Sequence, residues 1–106
     1  MFYNPEIGHN LPHDPFKAIV SPRPIGWIST IDKEKNVNLA PYSFFNAVAD
    51  NPPMIMFSIT GQKKNISSKD TLQNIIETKC FVVNIVSKDL LNQMNQTSGN
   101  YPKNTD

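Results

Sequence analysis

The stretch that decides the fold is "SPRPIGWISTIDKEKNVNLAPYSFFNAVADNPPMIMF", residues 21–57, which contains neither His nor Cys. Within it, "IGWISTI" (25–31) and "VNLA" (37–40) flank the polar run "DKEKN" (32–36), a pattern that predicts a β-hairpin. "MIMFSIT" (54–60) and "CFVVNIVS" (80–87) predict two more short strands, each with both faces largely buried. The chain is therefore expected to be mainly β.

Length and charge narrow the class of protein. A chain of 106 residues is expected to form one domain with a small core. The 10 Lys and Arg against 9 Asp and Glu leave a net charge of +1, which argues against nucleic acid as a partner. The single cysteine allows no internal disulfide, and no apolar run resembles a signal peptide or a membrane span. A cytoplasmic protein without a membrane partner is expected.

Two helices are predicted between and after the last strands. "KDTLQNIIETK" (69–79) has Asp70 in position to cap a helix and Gln73 to complete a capping box. A shorter helix is predicted in "KDLLNQMN" (88–95), with Ser87 as its cap. Helical spacing then predicts which side chains face the core, namely Leu72, Ile75, Ile76, Leu90, Leu91 and Met94, and which face water, namely Gln73, Asn74 and Glu77.

Several familiar kinds of catalytic site are not supported. Residues 1–15 are punctuated by prolines and predict an extended arm, in which His9 and His13 flank Pro12 without a third metal ligand nearby. Cys80 opens a predicted strand, so a small buried apolar residue is expected there and not a nucleophile. The sequence lacks a G-x-S-x-G elbow, and both histidines lie in the arm. A hydrolase is therefore not expected.

Two motifs point to a ligand. "SSKDT" (67–71) brings hydroxyls, an ammonium group and backbone amides to a helix start, which suits a phosphate monoester. Asp70 would repel such a phosphate. Taken alone, the motif therefore favours an ordinary capped helix over a phosphate site. "PYSFFNAV" (41–48), with Trp27 on the neighbouring strand, sets planar rings among Ser and Asn. That set suits a flat heteroaromatic ligand with polar edges, and core packing is an equal alternative.

Four motifs in fixed order resemble a known family. "SPRPIGWIST", "NLAPYSFFNAVADNPPMIMFSI", "KDTLQNI" and "FVVNIVS" closely resemble the flavin reductase-like, FMN-binding split-barrel family, over residues 16–101. The resemblance implies a Greek-key split β-barrel that works as a homodimer and binds FMN in a groove at or near the subunit interface. Family chains run on beyond the counterpart of "NQTSGNYPKNTD" (95–106), so the barrel is expected to be incomplete in this chain, with uncovered strand edges.

The resemblance also assigns residues to the cofactor. One group would line the flavin, a second would contact the isoalloxazine and ribityl chain, and a third would take the ribityl and phosphate end. These groups are, in that order, Trp27, Ile28, Ser29 and Thr30; Tyr42, Ser43, Phe44, Phe45 and Asn46; and Ser58, Lys69 and Thr71. Arg23, between two prolines, is a candidate for an ion pair or a cofactor contact, or else a solvated turn residue.

The function that the resemblance implies is that of an FMN-dependent oxidoreductase. Because the flavin carries the electrons, the protein needs no nucleophile, triad or metal, which fits a sequence poor in such groups. NADH or NADPH would donate hydride to the flavin, which would pass electrons to a further acceptor. Two alternatives stay open: a split-barrel interaction module that has lost flavin binding, and a single-strand nucleic-acid-binding barrel that stacks bases on its aromatic residues. The neutral charge disfavours the latter.

Overall fold

The computed structural model describes residues 2–60, 66–99 and 101, with the side chains of residues 66–69 outside that description. Residues 2–14 carry neither helix nor strand. The elements that follow are α1 (Pro15–Ile19), β1 (Gly26–Ile31), β2 (Val37–Tyr42), β3 (Phe45–Asp50), β4 (Pro53–Phe57), α2 (Ile66–Thr78), β5 (Val82–Asn84), a 3-10 turn (Lys88–Leu90) and α3 (Leu91–Gln96). The prediction of a mainly β chain with short helices is confirmed.

The predicted hairpin forms the larger of two sheets. Strands β2, β1 and β5 lie in that order and are antiparallel, with Ile28 opposite Ala40 on one side and opposite Val83 on the other. The connection between β1 and β2 is held by Asp32, whose carboxylate accepts from the backbone amides of Glu34 and Asn36, each over 2.9 Å. The polar run that signalled a turn in the sequence therefore supplies the hydrogen bonds that fix it.

Strands β3 and β4 form a separate antiparallel pair, with an irregular register between Ala47 and Ala49. The expectation that the later strands are buried on both faces is wrong. Met54 and Met56 of β4 are 49% and 50% exposed, and β5 is shorter than predicted, with Val82 59% exposed. The physical reason is that the two sheets do not close into a barrel, so no second layer covers these faces among the described residues.

Helix α2 packs on β1 and β2, but its predicted start is wrong. The helix begins at Ile66, so Asp70 lies inside it and cannot be its N-cap. Gln73 consequently makes no capping box and donates instead from Nε2 to Glu77 Oε1. The sequence between residues 60 and 69 carries no Pro to prevent the earlier start, and Ser67 and Ser68 extend the helix by one turn.

The predicted inner face of α2 is wrong at Leu72, Asn74 and Ile76, whereas Gln73 is exposed as predicted. Thr71 is fully buried and Asn74 nearly so, whereas Leu72 and Ile76 are about half exposed. The reason lies on the strands, where the positions that face the helix carry hydrogen-bonding groups. Asn74 Nδ2 donates to Thr30 Oγ1 over 3.1 Å. Paired polar groups therefore occupy part of an interface that periodicity assigned to apolar side chains.

The segment around β5 corrects three further expectations. Cys80 is exposed, because α2 ends at Thr78 and Lys79 takes φ 58° in the turn before the strand. Ser87 precedes the 3-10 turn but forms no side-chain cap. Met94 of α3 is buried as predicted, but Leu90 at the end of the 3-10 turn and Leu91 at the start of α3 are exposed. The core of this chain centres on Ile28 and Ala40 with Met94.

Candidate functional site

A groove of about 220 Å³ lies where the two sheets meet the end of α3. Its walls come from the end of β2 and the turn after it, from the segment after β4, and from the residues that follow α3. They are Ala40, Pro41, Tyr42, Ser43, Phe44, Ser58, Thr60, Thr97 and Ser98. The lining thus combines two aromatic rings with several hydroxyl groups, and the described residues contribute no His, Cys or charged side chain to it.

The turn between the sheets positions Phe44. The backbone amide of Ser58 donates to the carbonyl of Phe44 over 2.8 Å, which joins the residue after β4 to the residue before β3. On its other side, the Phe44 ring lies 6.4 Å from the Phe16 ring, measured between centroids, and the guanidinium carbon of Arg23 is 5.4 Å from its centroid. Phe44 is thus held by backbone pairing and by cation–π contact.

Arg23 links the short helix α1 to this turn. Asp14 caps that helix by accepting from the amide of Phe16, and Arg23 Nη1 donates to the carbonyls of Lys17 and Val20 at its C-terminal end, over 2.8 and 2.6 Å. No ion pair of Arg23 is present among the described residues. The half-buried side chain therefore supports Phe44, and its predicted contact with a cofactor stays a prediction.

Tyr42 forms the floor of the groove beside an aromatic cluster. Its ring lies 5.1 Å from that of Phe57, which in turn contacts Phe81 edge to face at 5.1 Å. Burial raises the pKa of Tyr42 above its usual value of 10.0, and a hydrogen bond with Thr71 opposes that rise. The phenol is neutral at neutral pH, as in an ordinary tyrosine, and can both donate and accept hydrogen bonds.

Trp27 fixes the α3 side of the groove. Its Nε1 donates to Thr97 Oγ1 over 2.8 Å, and the same hydroxyl donates to the carbonyl of Met94 over 2.7 Å. Thr97 lines the groove while Trp27 does not. The indole therefore contributes by holding a wall residue in place.

The predicted cofactor residues fall into two sets. Those that line the groove are Tyr42, Ser43, Phe44 and Ser58. The others lie outside its lining. Ile28 and Thr71 are fully buried, and Phe45 packs on Gly26. The hydroxyls of Thr30 and Ser29 accept hydrogen bonds from Asn74 and Asn84, and Asn46 is exposed on β3. The side chain of Lys69 is outside the described part of the chain. The cofactor contacts of the residues outside the lining stay predictions.

The sequence analysis assigned no cofactor role to five residues of the groove lining, namely Ala40, Pro41, Thr60, Thr97 and Ser98. Thr97 and Ser98 lie in "QTSGN", which reads as a polar tail after the last helix, and nothing in its composition signals a site. Only the long-range bond from Trp27 reveals their place. Across residues 2–60, 66–99 and 101 there is no cluster of three metal-ligating side chains, and the helices found there are too short or too polar to cross a membrane.

Comparison with known proteins identifies the family. The sequence model described as "Flavin reductase like domain" matches residues 20–106, and the chain belongs to that family. An uncharacterized protein of Aquifex aeolicus is 48% identical over 85 residues, which cover 80% of this chain and 43% of that protein. The chain spans less than half the length of the curated relatives it matches.

Solved structures agree with this assignment. Nitrilotriacetate monooxygenase component B from Bacillus cereus superposes with a TM-score of 0.78 and 37% identity, covering 98% of this chain and 51% of that one. A Shewanella frigidimarina protein with a split barrel domain gives a TM-score of 0.67 and 26% identity, covering 78% and 39%. The fold is that of a split barrel whose sheets are not closed in this chain.

Proposed function

We propose that the whole protein is an FMN-dependent oxidoreductase and that the groove is part of its flavin site. The observation that carries the proposal is the lining, which sets the rings of Tyr42 and Phe44 beside the hydroxyls of Ser43, Ser58 and Thr97. Such a surface suits a flat heteroaromatic group with polar edges. Membership of the flavin reductase like family supports the same conclusion.

The size of the groove limits what this chain supplies. Sites for small ligands typically enclose about 300–1,000 Å³, whereas this groove holds about 220 Å³ and is open to solvent. The residues fit one wall of a flavin site in chemistry but are too few to enclose the cofactor. The remaining walls would come from the rest of the protein or from a second copy.

The roles of the groove residues follow from their chemistry. Tyr42 and Phe44 would contact the flavin ring, and the Ser and Thr hydroxyls would bond to its polar edges. FMN, when bound, supplies hydride acceptance and electron transfer that no side chain of the groove can provide. Tyr42 carries its proton at the phenol oxygen at neutral pH, as an ordinary tyrosine does, and burial raises its pKa further. The protein's contribution is therefore binding, orientation and exclusion of water.

We further propose a nicotinamide donor and a separate acceptor. NADH or NADPH would supply the hydride, as the family resemblance implies. The Bacillus cereus relative is named as a component of a monooxygenase, which supports transfer of the electrons to a second protein. The expected location is the cytoplasm, and neither a membrane nor nucleic acid is a proposed partner.

A homodimer is proposed for the whole protein. The support is the apolar surface of β4, where Met54, Ile55 and Met56 are each 41–50% exposed and would be covered in an assembly. Sedimentation of the full-length protein should show two copies per particle. A well-folded monomer that binds FMN would exclude a site built between subunits.

The test of function is the visible spectrum of the purified full-length protein after addition of FMN and dialysis. Retained flavin bands, followed by oxidation of NADH or NADPH, are expected. Phe44→Ala should weaken FMN binding about tenfold by removing one ring contact, whereas Val48→Ala, an exposed change on β3, should leave it unchanged. A full-length protein that retains no flavin would refute the proposal and favour the interaction module.

A further inference from the structure

Thr71 connects helix α2 to the groove from behind. Its side chain is fully buried between the helix and the larger sheet. Asn38 Nδ2, on β2, donates to Thr71 Oγ1 over 2.6 Å, and Thr71 also forms a side-chain hydrogen bond with Tyr42. One hydroxyl thus joins the helix to two residues of the same strand, and the second of these residues lines the groove.

We propose that Thr71 is a positioning residue for the groove, acting on a bound ligand through Tyr42 without touching it. With no exposed surface, the Thr71 side chain offers nothing to a ligand phosphate. The inference that the ligand is a flavin rests on the proposed function, but the Thr71 to Tyr42 link does not.

The neighbouring contacts explain why such a link is needed. Tyr42 is the last residue of β2 and pairs with Gly26, which has no side chain to restrain the phenol ring. Phe57 contacts the ring of Tyr42 at 5.1 Å but cannot fix its hydroxyl. The hydrogen bond with Thr71 supplies that restraint, and Asn38 in turn fixes the rotamer of Thr71. Helix α2 therefore sets the orientation of the groove floor.

The first test compares FMN with riboflavin, which lacks the phosphate, on full-length protein. Thr71→Val removes the hydroxyl at nearly constant volume and should weaken both ligands by the same factor, about 2- to 10-fold, the worth of one hydrogen bond. Thr71→Ser should restore both affinities. A loss confined to FMN would overturn the proposal, because it would make Thr71 a phosphate ligand.

A double-mutant comparison separates positioning from general destabilisation. Thr71→Val also strips Asn38 of its partner, which can weaken the fold. If Thr71 acts through the phenol, adding Thr71→Val to Tyr42→Phe should cause no further loss of riboflavin affinity beyond that of Tyr42→Phe alone. Additive losses would refute the proposal. Gln73→Ala, on the exposed side of the same helix, is the control and should change neither affinity.

A flavin-independent measurement keeps the inference apart from the proposed function. Tyrosine is replaced by 3-fluorotyrosine, and the fluorine NMR signal at residue 42 is assigned by its loss in Tyr42→Phe. Thr71→Val should raise the pKa read from that signal, because the opposing hydrogen bond is gone, and Thr71→Ser should not. An unchanged titration in Thr71→Val would overturn the inference. If no variant binds flavin but the titration moves, only the proposed function fails.

Discussion

Trp27 Nε1 donates to Thr97 Oγ1 over 2.8 Å across a sequence separation of 70 residues. This bond joins the central strand of the larger sheet to the last described wall of the groove. Thr97 in turn donates to the carbonyl of Met94, so the end of α3 is tied to β1 through one hydroxyl. The position of that wall therefore depends on a side chain that does not itself line the groove.

Replacing this hydroxyl should be visible in the fluorescence of the protein, because Trp27 is its single tryptophan. Thr97→Val leaves the indole N–H without its partner and should shift the emission and lower the free energy of unfolding by about 1 kcal/mol. Thr97→Ser keeps the hydroxyl and should resemble the parent protein. Identical spectra for Thr97→Val and the parent would show that the bond does not form in solution.

Gly26→Ala should destabilise the fold through a steric contact. A Cβ at this position would lie 2.8 and 2.9 Å from Cδ2 and Cγ of Phe45, atoms close to the backbone that cannot swing away. We expect a loss of about 1–3 kcal/mol in urea unfolding. Gly99→Ala is the matched control, since the nearest described atoms to its Cβ belong to the far end of the Tyr101 side chain. Equal losses for the two variants would contradict this explanation.

Asn74→Ala tests the polar contact between helix and sheet. The variant leaves Thr30 without the amide that donates to it over 3.1 Å and should cost about 1–3 kcal/mol in urea unfolding. The adjacent Gln73→Ala changes an exposed residue and should stay within about 0.5 kcal/mol of the parent. If Asn74→Ala were equally mild, the contact would contribute no measurable stability.

Tyr42 should make the stability of the protein fall at alkaline pH. Burial raises the pKa of Tyr42 in the folded state above its usual value of 10.0, so folding favours the neutral phenol. The stability that the neutral phenol contributes is fully present at pH values below the usual tyrosine pKa of 10.0, and it is lost as the pH rises through the folded-state pKa. Thermal unfolding between neutral pH and pH values above 10.0 measures it. Tyr42→Phe should lose less stability over that range than Tyr3→Phe, an exposed control; the reverse order would refute the assignment.

Lys69→Ala tests the phosphate contact that the family resemblance implies. If the ammonium group meets the phosphate of FMN, the variant should weaken FMN about 10- to 100-fold and leave riboflavin unchanged. Lys88→Ala removes the same charge from an exposed residue of the 3-10 turn and should affect neither ligand. The measurement is a binding titration of each variant, in the full-length protein, with FMN and with riboflavin. Parallel losses of FMN and riboflavin affinity in Lys69→Ala would rule out a phosphate contact.

The hairpin and the aromatic turn could be predicted because their signals are local. The β-branched and aromatic residues of "IGWISTI" and the polar run at residues 32–36 predict β1, β2 and their connection. The family motif at residues 41–46 contains Tyr42, Ser43 and Phe44 of the groove. The prediction of an inner helix face rests on the assumption that an apolar stripe packs within its own chain. That assumption failed on α2, where the sheet offers Thr30 and Asn38 as partners for polar side chains and leaves Leu72 exposed.

The part of the site that could not be predicted depends on distant residues. Thr97 lines the groove only because β1 brings Trp27 beneath it, and no spacing in "QTSGN" encodes that contact. Thr71 stands inside a motif that suggests phosphate binding, yet its burial is determined by how α2 rests on β2. Burial and long-range pairing are properties of the packed chain, which sequence periodicity does not contain.

The three walls of the groove come from positions 40–44, 58–60 and 97–98, far apart along the chain. Bringing such segments together costs loop-closure entropy before any contact between them is gained. A nascent chain that has not yet reached Thr97 holds two walls without the third, so the groove cannot be complete before that residue is made. A ligand that touches all three walls acts as a reversible crosslink, and it stabilises the folded chain by an amount that grows with the logarithm of its concentration once that concentration exceeds the Kd.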